Sequence, residues 1–183
     1  ICKNLTSSSS WAVWHTELAT NHSLFLEDSA GSTNAPSSGY IVPVDNSVTK
    51  FVSGSSNETN VNTNNSSYVM YSWTSIPGYS AFGKATGNGS TDGVFVHTGF
   101  KPRYILWKGT NETSSWGIID TARSPYNVAD DLLVAEANNA EDTGNSNWAR
   151  DILSNGFKLR GSHSAVNGTG STYIYAAFAE HPF

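Results

Sequence analysis

The chain reads as an all-β protein built from tandem duplicated antiparallel β-sandwich units, jelly-roll-like, with little helix. Three observations predict this. Short runs of alternating apolar residues are separated by clusters of Gly, Asn, Ser and Asp, the pattern of strands between turns. The composition is rich in Ser, Thr and Asn with only 14% charged residues, yet it holds six Trp, eight Tyr and eight Phe. Short polar side chains suit turns and strands, and the aromatics supply a large area to bury. The third observation is a repeat. Val166-Asn167 opens a turn that leads into Tyr173-Ile174-Tyr175-Ala176-Ala177-Phe178, and Val61-Asn62 leads in the same way into Tyr68-Val69-Met70-Tyr71-Ser72-Trp73. The offset is 166 − 61 = 105, and Lys3/Lys108, Trp11/Trp116 and Thr16/Thr121 keep it. A fixed offset held over so many landmarks indicates an internal duplication.

The first unit is assigned to residues 1–79. Its Ile1-Cys2-Lys3-Asn4 matches Leu106-Trp107-Lys108-Gly109, so the counterparts of Ala81–Ile105 are expected upstream of Ile1, and the chain is expected to be a piece of a longer protein. Ile76-Pro77-Gly78-Tyr79 marks the division.

The second unit, 80–183, is the fuller one. Gly87-Asn88-Gly89-Ser90-Thr91-Asp92-Gly93 is a turn cluster, followed by a short strand over Val94–Thr98 that Gly99-Phe100-Lys101-Pro102 ends. Arg103–Lys108 is the next strand, Thr110–Ser115 a polar loop, and Trp116–Asp120 the return. Leu132–Ala135 is a further short strand. Asn155-Gly156 turns into Phe157-Lys158-Leu159-Arg160, with Phe157 and Leu159 on one face. Tyr173–Phe178 closes the sheet. Only Ala129–Ala140 has helical character, and Asn138-Asn139 weakens it.

A net charge of −5 and a pI near 5.4 argue against a nucleic-acid surface, which needs a clustered positive field. The single cysteine, Cys2, has no disulfide partner in the chain and reads as a buried, inert thiol. No apolar run is long enough to span a bilayer. Asn-x-Ser/Thr triplets at Asn4, Asn21, Asn57, Asn88, Asn111 and Asn167 follow from the composition and carry little information.

No catalytic set emerges. The offset places Asp120 opposite His15 and Arg123 opposite Leu18, so these groups do not recur between the units. The five histidines lack metal-ligand spacing, so no metal site and no cofactor is expected. Asp130-Asp131 with Glu136 and Glu141-Asp142 reads as a solvated acidic loop rather than a calcium loop, because the alternation of oxygen ligands is missing. Asp120 and Glu136 are the carboxylates an enzymatic, polysaccharide-degrading reading would use. Asp120 and Arg123 are expected first to pair and hold down the loop after them, and second to meet a ligand. Trp14, Tyr126 and Trp148 do not recur as aromatics between the units, and with Asp120 and Arg123 they form the candidate binding set for sugar rings.

Several stretches together resemble a repeat domain of uncharacterised function in virion structural proteins of tailed bacteriophages. These are Gly87–Ser90, Thr98–Pro102, Trp116 with Asp120 and Arg123, Ser154–Leu159, and Tyr173 through Ala177–Phe183. The likeness is closer over Ala81–Phe183 than over Ile1–Tyr79. It implies a non-enzymatic virion protein of a tail fibre or spike, outside the host cell, and by the habit of such appendages a homotrimer in contact with other virion proteins. Adhesion to a bacterial surface polysaccharide is the binding function expected of it, and a dedicated carbohydrate-binding module is the alternative.

Overall fold

The computed structural model describes residues 1–19, 22–34, 40–43, 49–52 and 60–182. The triplets at Asn21 and Asn57 lie outside them. The chain divides into Ile1–Trp73 and Thr74–Phe183. The turn of Thr74–Tyr79 goes with the second unit, because Ser80 N–H donates to the Ile76 carbonyl at 3.0 Å and Ser80 Oγ to the Thr74 carbonyl at 2.7 Å.

Unit 1 contains β1 (Cys2–Asn4), β2 (Ala12–Val13), β3 (His22–Phe25), β4 (Thr33–Asn34), β5 (Tyr40–Pro43), β6 (Thr49–Val52) and β7 (Tyr68–Met70). Five of these form an antiparallel sheet in the order β4-β3-β2-β1-β7, and β5 pairs with β6. Cys2, Ala12 and Val61 are buried together, with Trp14, Phe25 and Tyr68 packed on them. Cys2 is free and buried, and burial pushes its thiol pKa up, which keeps it unreactive.

Unit 2 contains β8 (Ser80–Thr86), β9 (Phe95–His97), β10 (Pro102–Gly109), β11 (Gly117–Asp120), β12 (Leu133–Val134), β13 (Arg150–Leu153), β14 (Gly156–Leu159) and β15 (Thr172–Ala179). The sheets are β12-β11-β10-β15-β8 and β13-β14-β9, all antiparallel. Among the described residues, helix is confined to a 3-10 turn at Ser146–Trp148 and one α-turn at Ser164–Asn167. Residues 129–140 are not helical. Ala129 bridges to Arg150 and Leu132 to Asp142, so their backbone groups are satisfied across strands.

Alternation decides what each strand buries. Ile105 and Trp107 of β10, Ile119 of β11, Phe157 and Leu159 of β14, and Tyr173, Tyr175 and Ala177 of β15 turn inward to one core. Trp107 stacks on Tyr173 with centroids 5.0 Å apart and meets the edge of Phe157 at 5.9 Å. A buried polar tie accompanies this core. Asn167 is fully buried, and its Nδ2 donates to Asn88 Oδ1, the Ser90 carbonyl and the Gly161 carbonyl. Asn167 is therefore closed to glycosylation as it stands.

The β1–β2 and β1–β7 pairings of unit 1 have the register of the β10–β11 and β10–β15 pairings of unit 2 at an offset of 105. Lys3 pairs with Val69 and Lys108 with Ile174; Cys2 pairs with Ala12 and Trp107 with Gly117. Side-chain chemistry recurs as well. The Lys3 ammonium donates to the Ser9 carbonyl and lies 5.6 Å from the Trp11 ring centroid. Lys108 donates to the Ser114 carbonyl at 2.5 Å and lies 5.8 Å from the Trp116 ring centroid. The Trp11 N–H donates to Glu27 Oε2 at 3.0 Å, and the Trp116 N–H to Glu136 Oε2 at 3.0 Å. Each unit thus closes its β1–β2 or β10–β11 hairpin with a buried or half-buried lysine under a tryptophan, and fastens the next strand through a glutamate.

Candidate functional site

The loop from β11 to β12 is longer than its partner from β2 to β3. The hairpin offset is 117 − 12 = 105, but Phe25 takes the place of Val134, an offset of 134 − 25 = 109. The four extra residues fall in the stretch that carries Arg123 and Tyr126.

This loop is tied at both feet. Asp120, the last residue of β11, accepts from the Ala122 and Arg123 N–H groups at 2.9 and 3.0 Å through Oδ1. Its Oδ2 takes Arg123 Nε at 2.7 Å. Arg123 then spends its other nitrogens inside the protein: Nη2 on the Ile118 carbonyl at 2.9 Å, and Nη1 on the Asp131 carbonyl at 3.1 Å and Glu141 Oε1 at 3.0 Å. Ser124 Oγ donates to Asp131 Oδ2 at 2.9 Å, while the Asp131 N–H returns a bond to Ser124 Oγ. Asn127 acts as a second pin. Its Nδ2 donates to the Ile152 carbonyl at 3.0 Å and its Oδ1 accepts the Ile152 N–H at 2.7 Å, so a side chain imitates a strand partner.

The electrostatics follow from this wiring. Partial burial works against the Asp120 charge, but the hydrogen bonds and charge of Arg123 outweigh it and hold the carboxyl below its ordinary range. Burial also opposes the Arg123 charge, and the Asp120 and Glu141 carboxylates more than offset that, raising its pKa. Asp120 is an ionised anchor. A general acid needs the opposite perturbation. Glu136 is engaged as well, by the Trp116 N–H.

With its feet fixed, the loop presents Pro125-Tyr126-Asn127-Val128 to solvent. Tyr126 is 84% exposed, the most exposed of the large apolar side chains among the described residues, and Val128 is 43% exposed. A planar ring on a braced loop loses little conformational freedom on contact, which suits stacking on a flat apolar surface.

Of the sequence-predicted set, Asp120, Arg123 and Tyr126 come together here. Trp148 does not join them as a surface contact. It is 5% exposed and packs flat on β11, where a Cβ at Gly117 would stand 1.9 Å from its ring. An indole without an accessible face has no place for a sugar. Trp14 is half-buried against the unit 1 core and belongs to the other unit. The acidic residues are distributed among separate tasks: Asp131 accepts the Gly144 N–H, Asp142 takes Asn145 Nδ2, and Glu141 meets Arg123. Among the described residues no group of three or more His, Cys, Asp or Glu is placed to hold a metal ion. Sequence reasoning missed Asn127, Asp131 and Glu141 as braces; their partners lie 7 to 25 residues away, and nothing in local spacing announces them.

Residues 1–182 match the family described as Domain of unknown function (DUF7483). The chain belongs to this family. The match to this DUF7483 domain runs through both units, so the family is defined over the pair. No curated protein and no solved structure matches the chain. Among the described residues no helix is long and apolar enough to cross a membrane.

Proposed function

We propose that the chain is a non-enzymatic structural module of a tailed-phage appendage, a tail fibre or spike, in which a β-sandwich frame holds out Tyr126 to a bacterial surface polysaccharide. The observation that carries the contact is the braced loop: a ring 84% exposed on a segment that Arg123, Ser124 and Asn127 fasten inward on either side of it. Support for the virion setting comes from the sequence resemblance, the Ser/Thr/Asn-rich composition and the all-β frame. The module works outside the cell, as a homotrimer beside other virion proteins, on this reading. It uses no cofactor, and its two units are copies of one ancestral unit.

The test is binding to an array of purified bacterial surface polysaccharides by the protein and by Tyr126→Ala and Tyr126→Trp. Loss of one aromatic contact lowers affinity by about tenfold, while Tyr126→Trp retains it. Equal binding by Tyr126→Ala to every polysaccharide retained by the parent chain sinks the assignment of the contact. Light scattering distinguishes the settings. A trimer favours the appendage, and a monomer with saturable binding favours a free-standing carbohydrate-binding module.

A further inference from the structure

Four donor nitrogens in the core of unit 2 have no acceptor among the described residues. Arg150 is fully buried, and its Nε, Nη1 and Nη2 are all in this condition. Trp107, also fully buried, is in it at Nε1. The two side chains share one place: the guanidinium carbon lies 5.1 Å from the Trp107 ring centroid, with the Trp148 and Phe157 rings at 5.6 and 5.9 Å. A folded protein rarely leaves a buried donor without an acceptor, and an uncompensated buried charge is costlier still.

Nothing acidic answers the charge. Burial alone lowers the Arg150 pKa, to about 9, so no carboxylate among the described residues faces the guanidinium, and the group is still cationic at neutral pH. The adjacent Asp151 takes the opposite face of β13 by alternation and accepts Arg160 Nε at 2.7 Å. The chemistry of the set then selects its occupant. Donors alone repel a metal cation. A water molecule accepts two N–H groups but leaves the positive charge as it was, whereas an anion answers both deficits. The enclosure sets the size: with Trp107 and Phe157 fully buried beside it, the place suits a single atom rather than a phosphate or a carboxylate.

We infer that the Arg150 guanidinium and the Trp107 indole N–H form an internal site for one small monovalent anion of the halide class, which neutralises the arginine within the core of unit 2. Held there, the ion ties β13 to β10 through charge-assisted hydrogen bonds. The site belongs to unit 2 alone. In unit 1 Cys2 stands at the register place of Trp107, against Ala12 as Trp107 stands against Gly117, and a cysteine brings no indole donor. The inference is independent of the contact proposed for Tyr126.

The test titrates chloride against the intact chain at constant ionic strength, with gluconate, too large for the site, as the balancing anion. Amide hydrogen exchange at Leu159, whose N–H donates to the Val94 carbonyl at 3.0 Å, reads the opening of unit 2 by itself. The expected result is protection at Leu159 that rises about tenfold for each tenfold rise in chloride above its dissociation constant, because the ion binds the folded state only. Arg150→Met is expected to lack this rise: without halide it is the more stable protein, and chloride narrows the difference. Bromide acts on the parent chain as chloride does, and a crystal grown in bromide shows an anomalous peak against the Arg150 guanidinium, a reading that stands even where Arg150→Met fails to fold. Three results overturn the inference: protection at Leu159 that chloride leaves unchanged, a rise of equal size in Arg150→Met, or bromide found at the surface only.

Discussion

Arg150 is the least expected residue in the core, and replacing it gives the sharpest check on the energetics. It is fully buried on β13, and its Nε, Nη1 and Nη2 have no hydrogen-bond partner among the described residues. Instead its guanidinium lies 5.1 Å from the Trp107 ring centroid, 5.6 Å from Trp148 and 5.9 Å from Phe157. Burial pushes its pKa down from the ordinary arginine range to about 9. At 1.36 kcal/mol per pKa unit, that is a cost of roughly 5 kcal/mol for holding the charged form inside. Three aromatic faces offset about 2–5 kcal/mol of it. The remainder is up to about 3 kcal/mol unfavourable, so Arg150→Met, which keeps most of the bulk and places a sulfur among the rings, is expected to stabilise unit 2 by up to about 3 kcal/mol. Urea unfolding followed by tryptophan fluorescence measures this as a higher midpoint at unchanged slope. The pH dependence gives an independent reading. Because the folded pKa is the lower one, the unfolded chain binds the extra proton above about pH 9, and parent stability rises from there towards the ordinary arginine value. Arg150→Met lacks that rise, so the difference between the two proteins narrows with alkali. A variant destabilised by more than about 1 kcal/mol would refute the reasoning and mean that the guanidinium holds a polar partner the folded core cannot lose.

Two further outcomes test the site's scaffold. Gly117→Ala drives a methyl into the Trp148 ring and is expected to cost about 1–3 kcal/mol, read as a lower urea midpoint; a neutral effect would mean that the indole does not lie across β11. For the loop brace, the Asp120 pKa is depressed in the folded state, so its stabilisation is complete above the unfolded value of about 4 and disappears as pH falls through the folded one. The stability gap between the parent chain and Asp120→Asn should therefore be open at pH 5 and shrink below about pH 4. A gap independent of pH would remove the Arg123 ion pair from the account.

The legible part of the fold was the part written by alternation. Phe157 and Leu159 face one side with Lys158 between them, and Tyr173, Tyr175 and Ala177 do the same, so β14 and β15 could be read directly. Strand β8 was not legible because Ser-Ala-Phe-Gly-Lys-Ala-Thr is selected for smallness: the Tyr175 ring needs the space at Gly83. Strand β13 was hidden for another reason. Its inward positions are Arg150 and Ile152, and a buried arginine reads as a surface residue in any hydrophobic pattern. At the site, the pairing of Asp120 with Arg123 was legible because both belong to one short loop. The burial of Trp148 was not, since it depends on a glycine 31 positions earlier (148 − 117) leaving its ring a bed.

The recurrence between units bears on where function resides. The pieces common to both are the hairpin register, the lysine under the tryptophan and the glutamate on the tryptophan N–H. Each is satisfied within its own unit and has an evident packing role. The pieces that differ are the four added residues between β11 and β12, with the Asp120–Arg123 brace and the exposed ring they carry. Had the ring been an incidental feature of the frame, it should have a counterpart in unit 1 at the same register. Instead, unit 1 has His15 and Leu18 where unit 2 has Asp120 and Arg123, and its shorter loop closes with the Leu18 N–H on the His15 carbonyl. A shared frame with one elaborated loop is how a scaffold acquires a contact without altering its core. On that logic the contact proposed for Tyr126 lies in the elaborated loop, while the buried Trp107, Trp116 and Trp148 belong to the frame.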